Sequence, residues 1–131
     1  MEIAAGTWRI LLIDDDRFQR RVVEATLRKA GHFNVMTAVD GEEGLNVALA
    51  EPPDLILLDL IMPKLNGFEV LRQLRDTSTT AAIPVIVMSS LGQESDQSQA
   101  RATGATGYFI KNQHTLKELV EQIHKLLGQE R

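Results

Sequence analysis

Pro52-Pro53-Asp54-Leu55-Ile56-Leu57-Leu58-Asp59-Leu60 sets four large apolar residues in a row between a pair of prolines and a carboxylate. The run is continuous rather than alternating, as in a strand buried on both faces of a parallel sheet. Ile10 to Ile13 and Val85 to Met88 have the same character, and two weaker runs, Phe33 to Thr37 and Tyr108 to Ile110, fit strands nearer an edge. Between these runs lie amphipathic segments. The clearest places Leu116, Leu119, Val120, Ile123 and Leu127 at helical spacing with Lys and Glu between them. Residues 16–30 behave likewise through Phe18, Val22, Ala25 or Thr26, and Ala30, with Gly31 where a helix usually ends. Asp40 is an N-cap for a helix to about Ala50, which Pro52-Pro53 stop. Gly92 to Gln99 has no large apolar residue, so the fourth helix is expected to be the most solvated. Strands alternating with helices imply five βα units, an α/β protein with an open parallel sheet covered on both faces.

Composition narrows the function classes. The chain has 131 residues, 44% hydrophobic and 24% charged, so one globular domain is expected over 1–131, with 1–8 and 128–131 as frayed ends. Its 14 basic and 18 acidic side chains leave a formal charge of −4, and no basic run exists to displace counterions, so nucleic-acid binding through this domain is not expected. Absence of Cys excludes disulfides, thiol catalysis and thiolate zinc sites and fits a reducing, cytoplasmic setting. The residues from Met1 to Arg9 lack a basic-then-apolar leader pattern, and the apolar runs are too short to span a membrane.

In open α/β sheets the working site lies outside the C-terminal ends of the strands, so the polar residues that follow each run matter most. The first run delivers Asp14, Asp15 and Asp16, the third Asp59, the fourth Ser89 and Ser90, and the fifth Lys111. Carboxylates on two strand ends make a set of hard oxygen ligands suited to Mg²⁺ rather than zinc. Without a cation, two such charges about 4 Å apart repel by roughly 4 kcal/mol at an effective dielectric near 20. Lys111 can offset part of that.

The order acidic pair, lone Asp, Ser, Lys resembles the receiver domain of two-component response regulators. The resemblance spans essentially the whole chain. It rests on Leu11-Leu12-Ile13-Asp14-Asp15, on Leu57-Leu58-Asp59-Leu60-Ile61-Met62-Pro63 followed by Gly67, on Val85-Ile86-Val87-Met88-Ser89-Ser90, and on Gly107-Tyr108-Phe109-Ile110-Lys111. It implies a flavodoxin-like, doubly wound (βα)5 fold with strand order 2-1-3-4-5. It also implies a phosphoacceptor switch rather than an enzyme, with Asp59 taking a phosphoryl group from a sensor histidine kinase or phosphotransfer protein. Mg²⁺ would be held by Asp15, Asp59 and the Ile61 carbonyl, with Asp14 acting through water. Lys111 and Ser89 would meet the phosphoryl oxygens, Tyr108 would turn inward, and the face built from the fourth helix, fifth strand and fifth helix would bind an effector protein. Ser90 and the Ile61 side chain would flank the hydrolytic water. Dimerisation on phosphorylation stays open, as do the kinase and the effector. In the family a Pro usually follows the lysine; Asn112 stands here, and a trans bond with Lys111 still near Asp59 is expected.

Blander roles compete. Asp16 is better read as an N-cap than as a ligand, Ser90 as a helix-start hydroxyl, Met62 as packing, and Trp8 as a flap at the sheet's edge. Tyr108 could be a half-buried strand aromatic with its hydroxyl in water. His32, His114 and His124 do not converge like metal ligands, and no Gly-Lys-Ser/Thr string supports nucleotide binding. Two rival functions are a haloacid-dehalogenase-like phosphatase using Asp14 and Asp16, and a receiver-like scaffold that works without phosphorylation.

Overall fold

The computed structural model describes residues 7–31, 33–63 and 65–128; of the expected frayed ends 1–8 and 128–131, residues 1–6 and 129–131 lie outside these, as does His32. Strands and helices alternate throughout: β1 (Trp8–Ile13), α1 (Arg17–Ala30), β2 (Phe33–Ala38), α2 (Gly41–Ala50), β3 (Leu55–Asp59), α3 (Gly67–Asp76), β4 (Val85–Ser89), α4 (Glu94–Thr103), β5 (Gly107–Ile110) and α5 (Leu116–Leu127). The five strands form one parallel sheet in the order β2-β1-β3-β4-β5, the doubly wound arrangement expected. The two weak apolar runs supply the edge strands β2 and β5. None of the described helices is long and apolar enough to cross a membrane.

The unbroken apolar runs are explained by two cores, one on each face. Successive side chains of a strand point to opposite faces. Leu11, Ile13, Ile56, Leu58, Val85 and Val87 therefore join Val70, Leu71 and Leu74 of α3 and Ala100 of α4. Ile10, Leu12, Leu55, Leu57, Ile86 and Met88 join Val23 and Leu27 of α1 with Leu119 and Ile123 of α5. Met62 belongs to the first of these cores, as its packing role requires.

Helix starts follow the local chemistry. Asp16, Asp40 and Asn66 each accept the backbone N–H three residues on, and Thr115 with Glu118 forms a reciprocal capping box. Gly31 ends α1 at φ 91°, a left-handed conformation that glycine adopts without steric cost. α4 has no side-chain cap, and Ala100 is its one buried residue, so its solvated character is as expected. Order begins earlier than residue 8's placement in a frayed end suggested: Trp8 opens β1, pairs in register with Phe33, and packs against the core shared with α1 and α5. Gly128 is likewise tied, its N–H donating to the His124 carbonyl at 2.6 Å.

Candidate functional site

The end of β1 and the end of β3 are adjacent because these strands pair directly, Ile13 opposite Leu58. The chain leaving β1 therefore carries Asp14 and Asp15 beside Asp59, and all three offer oxygens within 4.8 Å of one another. Asp14 is fully buried and Asp59 is 5% exposed, whereas Asp15 faces solvent. Gly67 lets the chain close behind the acceptor. A Cβ there would stand 2.6 Å from the Asp59 carbonyl oxygen and from the Leu60 Cα, a clash no larger residue avoids, and its N–H donates to the Leu60 carbonyl at 2.9 Å.

Each buried carboxylate is held by backbone. The Asp16 N–H donates to Asp14 Oδ1 at 2.9 Å, and the Ile61 N–H to Asp59 Oδ1 at 3.2 Å. From the opposite side Lys111 reaches in from the end of β5, with Nζ 3.3 Å from Asp59 Oδ2 and 4.0 Å from Asp14 Oδ2. The Lys111 peptide N–H is anchored to the Ser89 carbonyl at 2.8 Å, and no cis peptide occurs among the described residues. The Lys111–Asn112 bond is thus trans and the ammonium still meets Asp59.

Burial pushes the Asp59 carboxyl up to about 6; Lys111 opposes the shift and Asp14 adds to it. Asp14 is raised too, again chiefly by burial, with the Asp16 amide and Lys111 opposing. One ammonium therefore does not compensate two buried carboxylates. Asp14 Oδ2 is buried without a hydrogen-bond partner. That unmet acceptor, set among three hard oxygen donors, fits a divalent cation such as Mg²⁺. Asp14, Asp15 and Asp59 are the groups placed to hold one.

The remaining expected residues fall in two sets. Ser89 is 1% exposed at the end of β4, where its Oγ accepts the Leu91 N–H at 3.0 Å. Tyr108 is 7% exposed and donates its hydroxyl to the Leu91 carbonyl at 2.7 Å, so the half-buried reading with a wet hydroxyl does not hold. Leu91 is gripped from both sides by the two. Ser90 and the Ile61 side chain are exposed. Asp16 accepts the Gln19 N–H as the α1 cap, as expected, and it lies outside the cluster of Asp14, Asp15 and Asp59.

Sequence reasoning missed two residues at the margins of this site. Arg20 donates through Nη1 to the Asp14 carbonyl at 2.8 Å, bracing the acidic turn from α1. His114, set aside in the sequence as no metal ligand, accepts the Ile110 N–H on Nδ1 at 2.9 Å. Both act on backbone groups, which no side-chain pattern announces.

Residues 10–124 match the family described as response regulator receiver domain. Among curated relatives, Protein PilH of Pseudomonas aeruginosa is 38% identical over 88% of this chain and 96% of its own length. The DNA-binding dual master transcriptional regulator RpaA of Synechocystis is 41% identical over 91% of this chain, which spans only 48% of that protein. Among solved structures, Vibrio cholerae chemotaxis protein CheY4 superposes with a TM-score of 0.85 at 29% identity, covering 92% of this chain and 99% of the other.

Proposed function

The chain belongs to the response regulator receiver domain family, and from that membership we propose that it is a phosphoacceptor switch whose acceptor is Asp59. The observation that carries the reading is the Asp59 carboxylate, buried at a strand end with Lys111 Nζ at 3.3 Å and Asp14 beside it. A phosphohistidine of a sensor kinase or phosphotransfer protein is the donor. A carboxylate oxygen of Asp59 bonds to phosphorus as the phosphorus–nitrogen bond breaks and the donor imidazole leaves. With its carboxyl at about 6, Asp59 is mostly ionised at neutral pH and able to attack. Lys111 meets charge developing on the phosphoryl oxygens, and burial strengthens that attraction. Mg²⁺, when bound by Asp14, Asp15, Asp59 and the Ile61 carbonyl, supplies further neutralisation of those oxygens.

The same geometry supplies a switch. The Ser89 hydroxyl accepts the Leu91 N–H, while Tyr108 holds the Leu91 carbonyl. A phosphoryl oxygen on Asp59 accepts the Ser89 O–H, draws the hydroxyl toward Asp59 and away from the Leu91 N–H, and so shifts the loop that leads into α4. The altered surface of α4, β5 and α5 binds an effector protein in the cytoplasm, without nucleic acid or membrane contact through this domain. Magnesium with beryllofluoride, which imitates an acyl phosphate, tests this in solution. Amide resonances of Ser89, Leu91 and α4 are expected to move in the wild type and not in Asp59→Asn. Unmoved resonances would favour a phosphorylation-independent scaffold, and steady turnover of phosphate monoesters would favour a phosphatase.

A further inference from the structure

β5 is an edge strand, so only one side of it has a strand to pair with. Lys111 N–H donates to Ser89 of β4, but the N–H of the residue before it, Ile110, is satisfied by the ring of His114 at 2.9 Å. His114 also returns its own backbone N–H to the Ile110 carbonyl at 2.9 Å. The Gln113 N–H reaches the same carbonyl at 3.1 Å, so the Ile110 N–H depends on the His114 ring while its carbonyl is shared by two amides. The turn between Ile110 and His114, Lys111-Asn112-Gln113, contains no proline to stiffen it. Its far end is fixed by the capping box of Thr115 and Glu118. Between two fixed points sits the lysine whose ammonium meets Asp59.

The bond depends on an acceptor at this position: His114 Nδ1 takes the Ile110 N–H through its ring lone pair. The ring packs on Phe109 of β5 at 5.6 Å, and it shares a cavity of about 290 Å³ with the charged groups Glu118, Glu121 and Lys125 of α5.

We propose that His114 is a positioning residue for Lys111: the ring clamps Ile110 and so holds the ammonium at Asp59, and loss of the clamp slows phosphoryl transfer. The second half rests on the phosphoacceptor reading; the first does not. Both are tested on wild type, His114→Ala and His114→Asn, because an Asn carbonyl oxygen can accept where Nδ1 does. In nuclear magnetic resonance spectra the Ile110 amide should be displaced in His114→Ala and retained in His114→Asn. The Lys111 Cε and Nζ signals should be displaced in His114→Ala and retained in His114→Asn. Covalent labelling by acetyl phosphate with Mg²⁺ should be slower in His114→Ala by about fivefold, the effect of one lost hydrogen bond. His114→Asn should keep the wild-type rate. An Ile110 amide indifferent to the ring, or Lys111 signals unmoved in His114→Ala, would overturn the clamp whether or not the protein is labelled. Labelling of His114→Ala at the wild-type rate would overturn its part in transfer. Wild type that takes no label while Lys111 moves in His114→Ala would instead sink the phosphoacceptor reading.

Discussion

The ends of β1 and β3 and the helix α4 are built on opposite terms. Every residue from Ile10 to Asp14 and from Leu55 to Asp59 is buried, enclosed by helices on both faces of the sheet. α4 buries Ala100 alone, lacks a side-chain cap, and is tied at its C-terminal end by the Arg75 guanidinium, which donates to the Gly104 carbonyl at 2.8 and 3.0 Å. Two buried carboxylates can be held together at the first region because the surrounding core leaves them no alternative position. Few contacts oppose movement at the second. Elements that shift in signalling come from the weakly held part of a structure, and α4 is such a part.

Four perturbations grade that contrast. Leu57→Ala empties a fully buried strand position and is expected to cost about 2–5 kcal/mol in urea unfolding. A cost under about 1 kcal/mol would mean that the site rests on a softer core than its burial indicates.

Next comes the charge held at the site. The native Asp59 carboxyl is raised from 3.8 to about 6, so the folded chain binds more protons than the unfolded one between those values. Its stability therefore falls as pH rises through that window, and the loss persists above it. Asp59→Asn removes the effect. The variant should be more stable than wild type at pH 8 by an amount on the order of 3 kcal/mol without Mg²⁺, and the gap should close near pH 4. Parallel stability curves for the two proteins would contradict the raised carboxyl.

Mg²⁺ should act in the same direction with a smaller effect. At about ten times its Kd a ligand adds roughly 1.4 kcal/mol. A thermal scan at pH 8 should show the melting temperature rise by a few degrees in wild type and not in Asp14→Asn. No rise at millimolar Mg²⁺ would speak against a cation site. Smallest of all is Gln99→Ala on exposed α4, expected to change unfolding stability by less than about 0.5 kcal/mol. A larger loss would show that α4 is held more firmly than its burial implies.

Much of this was readable from residue order because the informative features are local. Continuous apolar runs mark strands sandwiched between two layers, and Asp16, Asp40 and Gly31 mark helix ends through their own backbone chemistry. Strand order, and with it the meeting of Asp14 with Asp59, followed from the family resemblance rather than from periodicity. What escaped notice acts at a distance on backbone atoms. Arg20 on the Asp14 carbonyl, His114 on the Ile110 amide, and Arg75 on the carbonyls of Ile83 and Gly104 leave no spacing signal. Trp8 was misjudged for a related reason: its order comes from pairing with Phe33, a partner far along the chain.

Covalent labelling decides the central claim. Acetyl phosphate with Mg²⁺ should add one phosphoryl group per chain, stable in acid, labile in alkali, and mapped by mass spectrometry to the peptide containing Asp59; Asp59→Asn should take none. Undiminished labelling of Asp59→Asn, or an adduct on any other residue of the wild type, would contradict the assignment of Asp59 as the acceptor.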